Sequence, residues 1–361
     1  MMIRKILLVA SALTIACSSL IAAETISGSD PKVSVIGRHL TEEDGSIRFN
    51  WSATTLRIQF TGKTLKMDCS DSHRDYFNIW IDKAQTPYPD KVIKVAGDSL
   101  VTLFNGKKGT HTIILQKRTE GEQGVFTLKS LTTDGKFNAA PEGRPRMIEF
   151  IGDSYTCGYG TEAPDKDQPF KAETENPSLT YADIIGRLFD AEAVHISHSG
   201  RGIVRNYDGF NPTENMVKLY KQTIDQVEPD TWTVSYQPDL VVIYLGTNDF
   251  SCALHPALSW WCEGYANLLN QVRSNFGPEV PIICMASPAD EMMAYYVQEA
   301  VRRSGIGNTS CVTVDMRCYN HDSDLGASWH PNYNGHRKVA GTLAPVISTV
   351  TGWELPIKAI Q

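Results

Sequence analysis

Near residue 140 the spacing of apolar residues changes from one period to another, and no other feature of this chain restricts its fold as much. Between Val33 and about Leu131 the apolar side chains alternate in short runs: Leu56, Ile58 and Phe60, then Leu65, Met67 and Cys69, then Phe77, Ile79 and Ile81, then Phe126 and Leu128. Alternation of this kind turns one face of an extended segment to a core and the other to water. The runs are separated by "TGK", "DGS", "NGKKG" and "EGEQG", which read as tight turns. An antiparallel β-sandwich of roughly a hundred residues is predicted, with no amphipathic helix interrupting it. The stretch from Thr132 to Arg146, rich in glycine, proline and small residues, reads as a connector.

Beyond the connector the runs "MIEFIG", "AEAVHIS", "DLVVIYLG", "VPIICMAS" and "SCVTVDM" are apolar throughout. They alternate with helix-like segments, "LTYADIIGRLF", "WCEGYANLLNQVRSNF", "AYYVQEAVRRSG" and "GHRKVAGTLAPVISTV". Strands that are apolar on both faces and separated by helices form a parallel sheet covered on both sides. The expected fold class is therefore α/β: a three-layer α/β/α domain over 146–361, preceded by a β-sandwich over 24–140. A length of 361 residues also favours two cores over one.

Residues 1–23 read as an export signal: Arg4 and Lys5, the apolar run from Ile6 to Ala16, then small residues through Ala22 and Ala23 before Glu24. A secreted or periplasmic protein is expected. The run is shorter than the roughly 20 residues that span a bilayer, and no later segment reaches that length. The sequence "LTIAC", ending at Cys17, resembles a lipoprotein cleavage site with Thr14 where leucine is usual, so a lipid anchor at Cys17, and with it an outer-membrane lipoprotein, stays open. A formal net charge of −7, with no run of Lys or Arg beyond short pairs, argues against nucleic acid as a partner. Cys252 with Cys262, and Cys311 with Cys318, are spaced to close short loops in an oxidising compartment, whereas Cys69 and Cys284 sit in strand-like runs as buried thiols. No C-x-x-C occurs, so zinc held by cysteine pairs is not expected.

In open α/β sheets ligands bind beyond the carboxyl ends of the strands, and four polar segments fall there. "GDSYTCG" presents Ser154 after the first strand run, "HSGRG" presents Gly200 and Gly202 after the second, "TND" presents Asn248 and Asp249 after the third, and "SWHPNYNGH" places His330 ahead of the last helix. Ester hydrolysis asks for these pieces. A serine hydroxyl is a poor nucleophile until a base takes its proton, and imidazole suits that task near neutrality. The negative oxygen of the tetrahedral intermediate needs preorganised donors, which the Ser154 N–H, the Gly200 N–H and the Asn248 side-chain amide could supply. Taken alone, Ser154 reads as a helix cap; with the other three segments beside it, it reads as catalytic. Asp153 is expected to bond backbone N–H groups around the bend. His195 and His198 point to opposite faces of a strand without a carboxylate cluster, so neither is read as a metal ligand, and His336 reads as a packed helix residue. Trp329, Trp260 and Trp261 would offer aromatic faces to a sugar, with core packing as the alternative for the last two. The long polar loop from Thr161 to Ser178 reads as a specificity loop or a solvated excursion.

In this order, "GDSYTCG", "SGRG", "GTND" and "WHPN" resemble the four blocks of the SGNH hydrolase superfamily. With "FNWSATTLRIQFTG", "YFNIWID" and "GTHTIILQKRTE" ahead of them, the chain resembles more narrowly carbohydrate esterase family 2, in which a jelly-roll domain precedes an SGNH domain. The resemblance runs from about Val33 to the last helix. It implies removal of acetyl groups from plant polysaccharides such as xylan and glucomannan, without a metal or organic cofactor. It implies Ser154 as nucleophile, His330 as base, and Gly200 and Asn248 as oxyanion donors. One position departs from the superfamily pattern: the aspartate often found three residues before the catalytic histidine is Ala327 here. The family includes Ser–His dyads whose imidazole is oriented by a backbone carbonyl, and that arrangement is the favoured expectation, with Asp322 or Asp324 as alternatives if the loop folds back. Two rival functions follow from the same residues: a lipase or thioesterase acting on another ester, although no apolar lid-like segment is found, and a glycan-binding protein whose catalytic loop has decayed at Ala327.

Overall fold

The computed structural model describes residues 23–209, 212–227, 231–252, 254–288, 290–315 and 319–356; the expected export segment, Cys17 included, and Cys318 lie outside the described residues. The N-terminal domain carries β1 (Glu24–Ser27), β2 (Val33–Ile36), β3 (Leu40–Thr41), β4 (Ile47–Phe49), β5 (Thr55–Asp71), β6 (Asp75–Ile81), β7 (Lys91–Val95), β8 (Ser99–Lys117), β9 (Phe126–Thr133) and β10 (Lys136–Phe137). All pairings are antiparallel. Two of the expected turns are not turns. "TGK" and "NGKKG" lie inside β5 and β8, which stay paired past them with register shifts between Gly62 and Thr64 and between Leu65 and Lys66. An extra residue in a ladder bends the strand without ending it. One half of β5 therefore pairs with β2 and β10 on its free edge, and the other half with β9. This wraps the sheet around one core, in which Ile58, Phe60, Leu65, Met67, Phe77, Leu115 and Leu128 are buried. The connector is also shorter than expected, because its first residues complete β9 and form β10.

The C-terminal domain follows the alternation seen in the sequence: β11 (Arg146–Gly152), α1 (Ser154–Cys157), α2 (Tyr181–Leu188), β12 (Ala191–Ser197), α3 (Met216–Leu219), β13 (Leu240–Tyr244), α4 (Leu258–Phe276), β14 (Ile282–Ala286), α5 (Met293–Ser304), β15 (Thr309–Thr313) and α6 (Tyr333–Thr351). The five strands are parallel in the order β12-β11-β13-β14-β15. Ile185, Leu343 and Ile347 of α2 and α6 cover one face, while Leu268, Val272 and Val297 of α4 and α5 cover the other. The strand order reverses at β11, so the loops after β12 and β13 part on either side of its carboxyl end. That crevice is where such sheets place ligands, and Ser154 stands at it. No helix among the described residues is long and apolar enough to cross a membrane.

Buried polar contacts lock the two domains together. Arg57 forms a two-pronged pair with Glu192, one prong at 2.8 Å. Arg38 is fully buried, donates to the carbonyls of Tyr220 and Gln222, and lies over the Trp232 ring at 3.7 Å. Trp51 Nε1 donates to Thr223 O at 2.9 Å. Removing one partner of a buried charge is strongly destabilising, so these contacts favour one relative placement of the domains. Cys252 and Cys262, whose spacing would allow a bridge, are not joined: Cys262 is buried on the core side of α4, while Cys252 lies half-exposed in the loop before that helix, and both are free. The other pair whose spacing would allow a bridge includes Cys318, outside the described residues.

Candidate active site

Ser154 is the first residue of α1, directly after Asp153 at the end of β11. Its side chain is 7 % exposed, and its Oγ lies 2.8 Å from His330 Nε2. His330 arrives on the turn that leads into α6. Its Nδ1 is 3.0 Å from the Ser328 carbonyl oxygen. A carbonyl can only accept, so Nδ1 carries the proton and Nε2 keeps its lone pair toward the serine hydroxyl. Ser328 and Trp329 both adopt left-handed backbone, φ 50 and 63, a conformation that costs about 1–2 kcal/mol per non-glycine residue. The long polar loop holds them there: Ser328 N–H donates to Gln168 O at 3.0 Å and Trp329 N–H to Lys166 O at 3.2 Å. Tyr159 and Tyr155 flank the imidazole, with ring centroids 4.4 and 5.4 Å away. Burial draws the His330 pKa down from 6.5 to about 4, against the opposing pull of the Ser328 and Ala327 backbone.

Loops after β12 and β13 meet beside the serine. Asp153 caps α1 by accepting the Tyr155 N–H at 3.1 Å, and its other oxygen accepts the Asn248 side-chain amide at 3.2 Å. That amide also donates to Arg201 O at 2.9 Å, which ties the third loop to the second. Burial pushes the Asp153 pKa up to about 7, although the N–H donors oppose it. Asp249 is buried, and its carboxylate accepts three successive backbone N–H groups, from Ile203 and Val204 at 2.8 Å and Arg205 at 3.0 Å. Glycine at 202 follows from this, because any Cβ there would collide with the Asp249 carboxylate and Arg205 O. Gly200 is required for a different reason: its φ is +74, and a Cβ would meet nothing closer than Tyr207 Cβ at 3.7 Å. The positive φ by itself selects glycine there.

Comparison with known proteins decides the family. Residues 35–141 match the family model described as "Carbohydrate esterase 2 N-terminal", and residues 150–338 match that of the "GDSL-like Lipase/Acylhydrolase family". A solved structure of "a family two carbohydrate esterase from Clostridium thermocellum in complex with cellohexaose" is 31% identical, covers 89% of this chain and 100% of its own, and superposes with a TM-score of 0.82. The chain belongs to carbohydrate esterase family 2. Members of this family are carboxylic ester hydrolases built on the SGNH fold. The "Cellulase/esterase CelE" of Acetivibrio thermocellus is 31% identical over 340 residues, which are 92% of this chain and 41% of that protein. The "Acetylxylan esterase / glucomannan deacetylase" of Cellvibrio japonicus is 29% identical over 85% of this chain and 88% of its own length.

Within this family 2 chain several sequence candidates lie elsewhere than expected. Asp324 is buried but not on His330: its carboxylate accepts from Lys338 Nζ at 2.5 Å and Asn320 N–H at 2.6 Å. The Asp322 side chain is 93% exposed and faces Lys166 at 3.7 Å. Neither orients the imidazole, because the Ser328 carbonyl already occupies Nδ1. Trp261 is fully buried against Tyr265 and Tyr296 and can touch no sugar, whereas Trp260, next to it on α4, is 49% exposed over a groove with Val204 and Val217. Trp329 is 54% exposed beside His330. Tyr207 escaped sequence reasoning: it is 60% exposed, and its N–H donates to Gly200 O at 2.8 Å. His195 and His198 do have carboxylate partners, contrary to expectation. His195 Nε2 lies 3.2 Å from Asp183, and His198 Nδ1 lies 2.5 Å from Asp225. His336 is buried and stacked on Tyr181. One donor set among the described residues has metal-like spacing, Glu120, Cys157 and Glu175, all within 4.8 Å of one another. The Cys157 thiol already donates to Glu120, and burial holds both it and Glu175 far toward their protonated forms.

Proposed function

We propose that this chain is an exported serine esterase that removes O-acetyl groups from plant cell-wall polysaccharide, acetylated xylan or glucomannan, through an acyl-enzyme. The contact that carries the reading is Ser154 Oγ to His330 Nε2 at 2.8 Å, with Nδ1 committed to a carbonyl. Ser154 Oγ attacks the acetyl carbonyl carbon as its proton passes to Nε2. The carbonyl oxygen becomes an oxyanion, received by the backbone N–H groups of Ser154 and Gly200 and by the Asn248 amide. That amide is held in place by Asp153 at 3.2 Å and Arg201 O at 2.9 Å. Collapse of the intermediate breaks the ester C–O bond, and Nε2–H protonates the departing sugar oxygen. Water then repeats the cycle on the acyl-serine, giving acetate and free Ser154. A carbonyl partner fixes the tautomer but supplies no charge to the imidazolium, so the oxyanion donors carry the larger share of the rate.

The substrate class is supported by two exposed aromatic rings, Trp329 next to His330 in the chain and Tyr207, whose N–H donates to Gly200 O, and by the acetylxylan esterase and glucomannan deacetylase relatives. Flat apolar rings receive the C–H faces of sugars. Acetate release from acetylated xylan and acetylated glucomannan, beside a phospholipid and nitrophenyl acetate, tests the proposal. Release from the polysaccharides with no cleavage of phospholipid is expected. Cleavage of phospholipid alone would turn the reading to a lipase, and glycan binding without cleavage of any ester would end it. Export is proposed from residues 1–23 and tested by the mass of the mature protein, with a start at Glu24 expected and a lipid-bearing Cys17 as the contrary result.

A further inference from the structure

Glu120 sits on the loop that follows β8 in the N-terminal domain, yet its side-chain hydrogen bonds reach into the other domain. It is fully buried, and its Oε2 accepts the backbone N–H of Ser199 at 2.6 Å. The same oxygen accepts from the Cys157 thiol at 3.5 Å. Ser199 immediately precedes Gly200, and Cys157 closes the short helix that begins with Ser154. A single carboxylate oxygen thus spans the two segments whose N–H groups are assigned to the oxyanion. We infer that Glu120 is a positioning residue for the oxyanion hole, supplied by the β-domain to the α/β domain. The inference rests on the assignment of Gly200 and Ser154 as oxyanion donors.

The surroundings are built for this approach. Lys117 Nζ is buried, donates to Asp75 at 2.7 Å, and anchors the loop through Thr119 O at 2.6 Å and Glu120 O at 3.3 Å. A Cβ on Gly121 would collide with the Asp225 carboxylate and stand 2.8 Å from Asn50 Nδ2, so glycine alone lets the loop lie this close. Asp225 and Glu122 hold His198, the residue before Ser199, from its two ring nitrogens at 2.5 and 3.7 Å. The pair with Asp225 raises the His198 pKa to about 10 against its burial, leaving an imidazolium at the root of the loop. On its other side Glu120 N–H donates to Glu175 Oε2 at 3.3 Å. The Ser199 N–H is the donor at stake, since leaving a buried N–H unpaired costs about 1–3 kcal/mol, and among the described residues Glu120 Oε2 is the acceptor that meets it. The Ser199 amide and Glu120 therefore specify each other's position. This gives the β-domain a task in catalysis that needs no bound glycan.

The test compares Glu120→Ala, Glu120→Asp and Glu120→Gln, with circular dichroism and melting curves to confirm folding. Glutamine still offers an oxygen to the Ser199 N–H, whereas aspartate keeps the charge but withdraws the acceptor by one methylene. On nitrophenyl acetate, kcat is expected to fall by about tenfold or more in the Ala and Asp variants, with KM within about twofold, and to stay within about threefold of wild type in the Gln variant. Hydrogen exchange of the peptide carrying residues 198–202 reports without turnover: it is expected to accelerate in the Ala and Asp variants only. Should Ala fail to fold, the Asp and Gln pair carries the comparison. Folded Ala or Asp variants with unchanged kcat and unchanged exchange would overturn the inference, as would a Gln variant that falls as far as Ala. A wild type that cuts nitrophenyl acetate but no polysaccharide removes the proposed substrate and leaves this inference standing.

Discussion

The pH dependence of hydrolysis offers a quantitative check on the dyad. His330 must be neutral at Nε2 to take the serine proton, and burial lowers its pKa from 6.5 to about 4. The kcat/KM profile reports the free enzyme's base. At pH 5 a histidine of ordinary pKa would be about 3 % neutral, whereas one of pKa near 4 would be about 90 % neutral. The two cases differ roughly thirtyfold in activity relative to the neutral plateau. The assay is kcat/KM for nitrophenyl acetate from pH 4 to 8, with each sample returned to pH 7 and reassayed to exclude acid inactivation. That control matters because His330 and His336, the latter lowered to about 3, both prefer the neutral form in the fold. Protonation therefore favours unfolding, and stability falls as pH drops from about 6.5 toward those lowered values. An acid limb with its midpoint below about pH 5.5 is expected. A midpoint at 6.5 or above in folded enzyme would refute a desolvated imidazole held only by a carbonyl.

Replacing Asn248 by Ala is expected to cut kcat by about a hundredfold to a thousandfold with little change in KM on nitrophenyl acetate, measured by initial rates. Asp249→Ala strands three backbone N–H groups and should lower both the melting temperature and kcat, because the Gly200 loop loses its anchor. Ala327→Asp should reduce activity: Ala327 is fully buried and meets Gly160 so closely that a Cβ on that glycine would overlap its methyl group. A more active Ala327→Asp variant would instead show that the site lacks a carboxylate. Trp329→Ala is expected to raise KM about fivefold, ~1 kcal/mol, on acetylated polysaccharide while leaving nitrophenyl acetate unaffected.

What could be read from the sequence depended on how local the determining interaction was. The alternation at Leu56, Ile58 and Phe60 reports burial directly, and all three are buried. "TGK" looks like a turn because the same residues suit turns and bulges, and only the partner strand's register separates the two. Trp261 was separable from Trp260, since Trp261, Tyr265, Leu268, Val272 and Phe276 form a buried stripe at helical spacing and Trp260 lies off it. A carbonyl is the favoured orienting group of His330 from the sequence, with two aspartates as alternatives; which carbonyl it is depends on the left-handed turn at Ser328 and Trp329, which no local pattern reveals. Glu120 carried no signal, because it acquires its place through contacts with segments distant in the chain.

The most direct test of the central claim is to trap the nucleophile. Incubation with a fluorophosphonate, followed by peptide mass spectrometry, should place one phosphonyl group on the peptide carrying Ser154 in the wild type, with loss of esterase activity in step. Labelling should be absent in Ser154→Ala and strongly slowed in His330→Ala. Phosphonylation at another residue, or acetate release that survives in Ser154→Ala, would contradict the account.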